Sequence, residues 1–212
     1  MAAFLYPVYT LASVGLMIWS FSQFEHSHNI NTILLLLVLI GMTYDNLIVS
    51  VGRLINEGIL LELLNRLRFL LHNLFVPLLV VVAVRLACNA SVAWASTPIV
   101  CYGCWAIAFG LIAFGLLIDF QRLELAPTTF AGSLRYKPKS YSVPILTILT
   151  ALLVAVAGFY IWREIQWPWM FLGTLTMFFG NALPTSIFGT LVSSAVDLIF
   201  ILALVVTELI IH

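Results

Sequence analysis

Charge is what this chain has least of. Only 8% of its 212 residues are Asp, Glu, Lys or Arg, and 63% are hydrophobic. A soluble domain carries about 25% charged residues, so the polar surface here is too small to clothe a water-soluble fold. Nine bases balance nine acids, which leaves no basic field to attract nucleic acid. Lysine is confined to Lys137 and Lys139, in a polar stretch between apolar runs, and that excludes a retinal protein with its lysine in a late span. Of four histidines, His26 and His28 fall between apolar runs, so no paired in-membrane haem ligands exist. H-E-x-x-H, the P-loop and the D-x-x-D-G pattern of lipid head-group transferases are all missing. Neither a metal nor another cofactor is therefore expected.

Long apolar runs are what is there. A span takes about 20 residues, and suitable runs lie near 4–22, 31–52, 69–92, 98–118, 143–162, 168–184 and 189–210. The first lacks a basic leading region and a small-residue cleavage site at Ser20-Phe21-Ser22-Gln23, so it is expected to be a true span. The last two are separated only by Pro184 to Phe188, and Pro184 and Gly189 mark a break, which suggests a tight helical hairpin. Between the second and third runs, Leu60, Leu61, Leu63, Leu64 and Leu67 alternate with Glu62, Asn65, Arg66 and Arg68 at helical spacing. Residues 53–68 thus read as an amphipathic helix in the membrane interface, either a connector or a lid over a site. No repeat and no linker divides the chain. The expected fold is all-α: one transmembrane domain over 1–212, a polytopic bundle of about seven spans.

Basic residues set the expected orientation. With the N-terminus in the cytosol, Arg53, Arg66, Arg68, Arg122, Arg135, Lys137 and Lys139 face inward and only Arg163 lies in an outer loop. The C-terminus is then on the opposite side.

Polar residues inside the spans are the candidate site. A charge at mid-bilayer costs roughly 2.5–3.5 kcal/mol on insertion scales. Helix rise puts Asp45 about 10 Å and Asp197 about 12 Å below the cytosolic end of their spans. Asn46, His72, Asp119 and Asn181 fall in the same layer, and Arg85, Asn89 and Glu208 in the outer half. His72 and Asp119 are near enough to the interface to snorkel or cap a helix. Asp45 and Asp197 are too short to snorkel, so they need partners or a polar cavity; either a shared site or a structural hydrogen-bond pair meets that need. Two carboxyls in an apolar pocket suit acid chemistry on a lipid-soluble alkene or epoxide, with Tyr44, Phe75, Phe114, Phe178 and Phe179 near the same depth to face a cation. On this reading Asp45, Asp197 and Asn46 are catalytic, and Tyr44, His72, Asp119 and Asn181 bind substrate.

The stretch Asp45-Asn46-Leu47-Ile48-Val49-Ser50-Val51-Gly52 resembles the D-N-x-[LI]-V-x-x-G signature of the integral-membrane lycopene cyclase domain. The resemblance implies a small multi-span isoprenoid cyclase working by acid-initiated carbocation chemistry without a redox cofactor. It covers about ten residues plus the helix order, and carries over Asp45, Asn46 and Gly52. The family's adjacent glutamates at the next span are absent here: the stretch reads Arg68-Phe69-Leu70-Leu71-His72-Asn73.

Three other readings compete. Intramembrane acids also serve proton or cation relays in transporters and channels, although the chain lacks paired interrupted helices in equivalent halves. Cys101-Tyr102-Gly103-Cys104, with Cys88, is placed as in membrane thiol oxidoreductases, but a relay normally needs a second cysteine pair and there are three cysteines in all. A structural subunit of a larger membrane assembly is the third. The expected partners are the lipid bilayer and a membrane lipid or isoprenoid.

Overall fold

The computed structural model describes residues 2–130, 132–139, 143–183 and 191–211. Its helices are α1 (Ala2–Ser27), α2 (Ile30–Ile55), α3 (Ile59–Phe75), α4 (Leu78–Asn89), α5 (Pro98–Phe114), α6 (Ile145–Ile165), α7 (Trp169–Asn181) and α8 (Leu191–Ile211). Among the described residues, six apolar stretches are long enough to cross a membrane: Phe4–Glu25, Ile30–Ile55, Ile59–Asn89, Pro98–Phe120, Ile145–Ile165 and Leu191–Ile211. The protein is a polytopic helical membrane protein.

Local chemistry sets the helix ends. Asn29 caps α2 by accepting from the Asn31 backbone N–H at 3.0 Å. Asn56, with φ 66°, turns the chain out of α2 in the left-handed region. Pro98 opens α5, where its missing N–H would be unpaired anyway. Gln166, with φ 57°, ends α6, and Trp167-Pro168 leads straight into α7.

The chain crosses the bundle back and forth. Thr10 of α1 meets Ser50 near the end of α2, with 3.5 Å between their hydroxyls. At the other end Thr32 of α2 donates to Glu208 of α8 (2.7 Å), and Trp167 donates to Thr207 of α8 (3.0 Å). The start of α1 and the end of α8 therefore lie at opposite ends of the bundle. The sixth pass is short: the 13 residues of α7 rise about 20 Å against a hydrocarbon core of about 30 Å. The expected full span over 168–184 is thus replaced by a short helix packed between α6 and α8. Close approach makes this possible, since a Cβ on Gly173 would overlap Ala203 of α8. The expected break at Pro184 to Gly189 lies outside the described residues.

Two further expectations are corrected. The segment 53–68 is not a separate interfacial helix. Residues 53–55 finish α2, and α3 runs on through Val76-Pro77 into α4 as one apolar stretch, Ile59–Asn89. No breaker stands between Arg68 and Phe69, so nothing stops the helix there. Pro77, lacking an N–H, instead forces a turn in which Leu79 and Val80 donate to the carbonyls of Val76 and Pro77 (both 3.1 Å). The segment 119–142 is not a plain loop either. After α5, residues 115–120 form a π-turn, and β1 (Leu125–Phe130) pairs antiparallel with β2 (Ser133–Pro138). Gly132, with φ 88°, supplies the left-handed position of the turn between them.

This hairpin sits on the corner where α2 gives way to α3. Ser133 donates to the Val49 carbonyl (2.9 Å), and Leu125 and Tyr136 pack with Ile48 and Leu61 in a small apolar cluster. Gly52 is what lets the strand come so close: a Cβ there would collide with the Leu134 carbonyl oxygen. Gly52→Val should therefore cost about 1–3 kcal/mol of stability and open the hairpin to protease. Gly15→Ala, where nothing lies within 4 Å of a Cβ, should do neither. Thermal denaturation and limited proteolysis in detergent measure both.

Candidate functional site

At the hairpin end of the bundle, α2, α3, α4, α6, α7 and α8 line a cavity of about 370 Å³. Small-molecule sites are typically about 300–1,000 Å³. Its walls are mostly apolar, with Val38, Leu71, Phe75, Leu79, Met177 and Ile201 among them, and carry Asp45, Asn46, Arg68, His72, Asn181 and Asp197. Five of the seven residues singled out by sequence thus share one cavity. Tyr44 and Asp119 do not line it. The Tyr44 hydroxyl donates to the Leu64 carbonyl (3.1 Å) and braces α2 against α3. Asp119 sits in the π-helical turn after α5, and neither that turn nor α5 lines the cavity. Of the five aromatics expected nearby, Phe75 lines the cavity, joined by Phe200.

The two carboxyls have separate partners. Arg68 Nε donates to Asp45 Oδ1 at 2.6 Å, with the Arg68 side chain 9% exposed. Asn181 Nδ2 donates to Asp197 Oδ1 at 2.8 Å. Among the described residues no cation lies within 4.0 Å of Asp197. The two carboxyls share one cavity, with Asp45 in an ion pair on one wall and Asp197 bonded to the Asn181 amide on the other.

Arg68 was legible in the sequence only as a topogenic charge. Its second bond, Nη1 to Asn65 Oδ1 (2.7 Å), reveals a chain of polar contacts. The same Asn65 oxygen accepts from the Tyr136 backbone N–H (3.2 Å), and Asn65 Nδ2 donates to the Leu61 carbonyl (2.8 Å). The hairpin therefore holds Asn65, Asn65 holds Arg68, and Arg68 holds Asp45. Beside them in the hairpin, burial lowers the Arg135 guanidinium from its ordinary value, partly offset by Tyr6. His72 Nε2 hydrogen-bonds Thr147 Oγ1 of α6 at 3.1 Å. Sequence reasoning also missed Thr147, Thr150 and Ser194, because hydroxyls on apolar helices usually satisfy themselves on their own backbone.

Two atoms on the cavity wall have no partner. Asn46, 2% exposed, donates its Nδ2 to the Met42 carbonyl (3.2 Å), and its Oδ1 is unpaired. Thr150, also 2% exposed, has an unpaired Oγ1. A buried polar atom without a partner is costly.

A second cavity, of about 250 Å³, lies at the opposite end, lined by Arg85 with Cys88, Cys101 and Cys104. All three thiols are free. Between the two cavities α4 presents Val80, Val81, Val82 and Ala83, none more than 1% exposed. Among the described residues no group of three or more His, Cys, Asp or Glu is arranged to hold a metal ion.

Comparison with known proteins finds no matching family model, curated protein or solved structure. Fold and site together define the class: a multi-pass helical membrane protein with a mostly apolar, acid-bearing cavity at one end of its bundle.

The network makes a stability prediction. Asn65→Leu strips the Tyr136 N–H of its acceptor and Arg68 of one, which should cost about 1–3 kcal/mol per group left unpaired. Hydrogen exchange at the Tyr136 amide should accelerate with it, while Thr176→Val, whose hydroxyl only bonds the Leu172 carbonyl of its own helix, should leave that exchange unchanged.

Proposed function

We propose that the protein is an intramembrane enzyme that needs no cofactor and acts on a lipid-soluble isoprenoid, by acid-initiated cyclisation or isomerisation. The observation that carries this reading is Asp197, a carboxyl on the wall of a mostly apolar cavity with an amide for a partner and no described cation within 4.0 Å. In this reading Asp197 delivers a proton to a carbon–carbon double bond or epoxide oxygen. Asn181 positions the carboxyl. The faces of Phe75 and Phe200 stand near the carbocation. A proton then leaves a neighbouring carbon for the Asp197 carboxylate, so the cycle is redox-neutral and the acid is regenerated. Arg68 would repel a cation were it not paired with Asp45, and that pairing is the role assigned to Asp45. The resemblance of Asp45–Gly52 to the lycopene cyclase signature supports the same reading over those residues alone.

The transporter reading fits less well. A relay needs polar steps between the two ends, and α4 puts Val80 to Ala83 between the cavities.

Asp197→Asn keeps size and polarity and removes the acid. Turnover of prenyl alkenes or epoxides by the reconstituted protein should drop about 10²-fold or more, with the melting temperature little changed. Full turnover in that variant, followed by chromatography and mass spectrometry, would sink the assignment.

The orientation belongs to the same proposal: the hairpin end faces the cytosol. Arg135 is buried and Arg68 is paired with Asp45, which leaves Arg53, Arg66, Arg122, Lys137 and Lys139 at that end against Arg163 at the other. A reporter fused after residue 130 should read cytosolic and one at the C-terminus the opposite side. The reverse pattern would invert the topology.

A further inference from the structure

An arginine inside an apolar span calls for an anion, and among the described residues Arg85 has no carboxylate within 4.0 Å. We infer that the second cavity, at the end of the bundle away from the hairpin, is an oxyanion site that takes a phosphate group, carried by a lipid headgroup or present as a free ion. It stands apart from the enzymatic reading, which concerns the other cavity.

Arg85 lies one turn before the end of α4 at Asn89, about 6 Å along the axis. It is not a side chain reaching freely for water. Its Nε donates to Asn31 Oδ1 at 2.8 Å, and Asn31 is fully buried, so one edge of the guanidinium is anchored on α2. Nη1 and Nη2 have no partner among the described residues, and neither is sealed off, since both keep accessible surface. Glu208 of α8 accepts from Thr32, next to Asn31, yet lies more than 4.0 Å from Arg85. The edge left open, Nη1 with Nη2, is a planar fork that matches two oxygens of one oxyanion.

The cavity around that fork holds no competing charge. Besides Arg85 its walls include Asn89, Trp105 and the three cysteines, and none of its lining residues is acidic. The thiols are occupied: Cys101 and Cys104 donate to the carbonyls of Ala95 and Cys101 (3.4 and 3.1 Å), and Cys88 lies 3.5 Å from the Ser96 hydroxyl. Asn89, at i+4 from Arg85, shares that face of α4 and brings an amide with N–H groups to the exposed mouth. Two oxygens for the fork and a third for this amide favour a phosphate over a carboxylate. At ~30 Å³ per water-sized group, 250 Å³ holds about eight such groups, room for a phosphate and the first atoms of whatever carries it. A cation would be repelled, and a hydrocarbon would leave the guanidinium unneutralised.

The test uses the full chain in a non-ionic detergent at low salt, with binding measured by calorimetry. The probes are inorganic phosphate, acetate, dihexanoyl phosphatidic acid and dihexanoylglycerol. Phosphate should bind in at least one of its two forms, acetate more weakly, and dihexanoylglycerol not at all. Phosphatidic acid binding tighter than inorganic phosphate assigns the site to a lipid headgroup; the reverse, or equality, assigns it to a free ion. Arg85→Gln should weaken phosphate binding about tenfold or more. Arg163→Gln, exposed in the last turn of α6 at the same end, should leave it unchanged. If Arg85→Gln fails to fold, Asn89→Asp decides: it changes an exposed residue at the mouth and sets a like charge beside the ligand, so binding should again fall about tenfold. The inference is overturned if neither phosphate binds, if acetate binds more tightly than both, or if dihexanoylglycerol binds as well as phosphatidic acid. Phosphate binding undiminished in the deciding variant, or lost equally in Arg163→Gln, overturns it too.

Discussion

The ion pair between Arg68 and Asp45, 2.6 Å long and set at the edge of an apolar cavity, is the constraint around which the hairpin end of the bundle is arranged. Bringing a guanidinium and a carboxylate into such surroundings is costly unless each is paired and the remaining donors are met. Arg68 meets one of its remaining donors through Asn65, and Asn65 is fixed in turn by the Leu61 carbonyl of its own helix and by the Tyr136 N–H of β2. The hairpin is thus part of the site's support. It reaches that position because Gly52 leaves room for the Leu134 carbonyl and because Ser133 bonds Val49. Removing any link loosens the placement of Asp45 before it touches the opposite wall.

That opposite wall is built differently. Asp197 stands on α8 and Asn181 at the end of the short helix α7, joined by a single 2.8 Å bond. The thirteen residues of α7 end at the cavity wall, to which Met177 and Asn181 contribute. One wall thus carries a charge pair and the other a carboxyl with an amide partner, and the proposed proton chemistry rests on that asymmetry.

Much of this was readable in the sequence, for definite reasons. Length and apolarity identify helices long enough to cross a membrane without any tertiary information, and helix-rise arithmetic put Asp45, Asn46, His72, Asn181 and Asp197 at one depth because depth along a span depends only on residue number. Azimuth does not follow from depth, so Tyr44 and Asp119 shared the layer but not the cavity. Arg68 was read as a topogenic charge because partner choice is a tertiary matter. The hairpin had a signal in Thr128-Thr129-Phe130 ahead of Gly132, β-branched and aromatic residues beside a turn glycine, but among long apolar runs it reads as a polar loop. The continuity of α3 with α4 was hidden by the change from amphipathic to uniformly apolar pattern at Phe69, which marks a change of surroundings and not a change of backbone.

The central claim is that this cavity performs proton chemistry on an isoprenoid, with Asp197 as the acid. Deuterium transfer from solvent tests it most directly. The reconstituted protein is incubated in D₂O with a prenyl lipid, and the lipid is recovered and weighed by mass spectrometry. With a prenyl alkene the account predicts incorporation of one carbon-bound deuterium per protonation event, and none above the protein-free background with Asp197→Asn. No incorporation into any prenyl alkene together with no opening of any prenyl epoxide, or either reaction undiminished in Asp197→Asn, would contradict it.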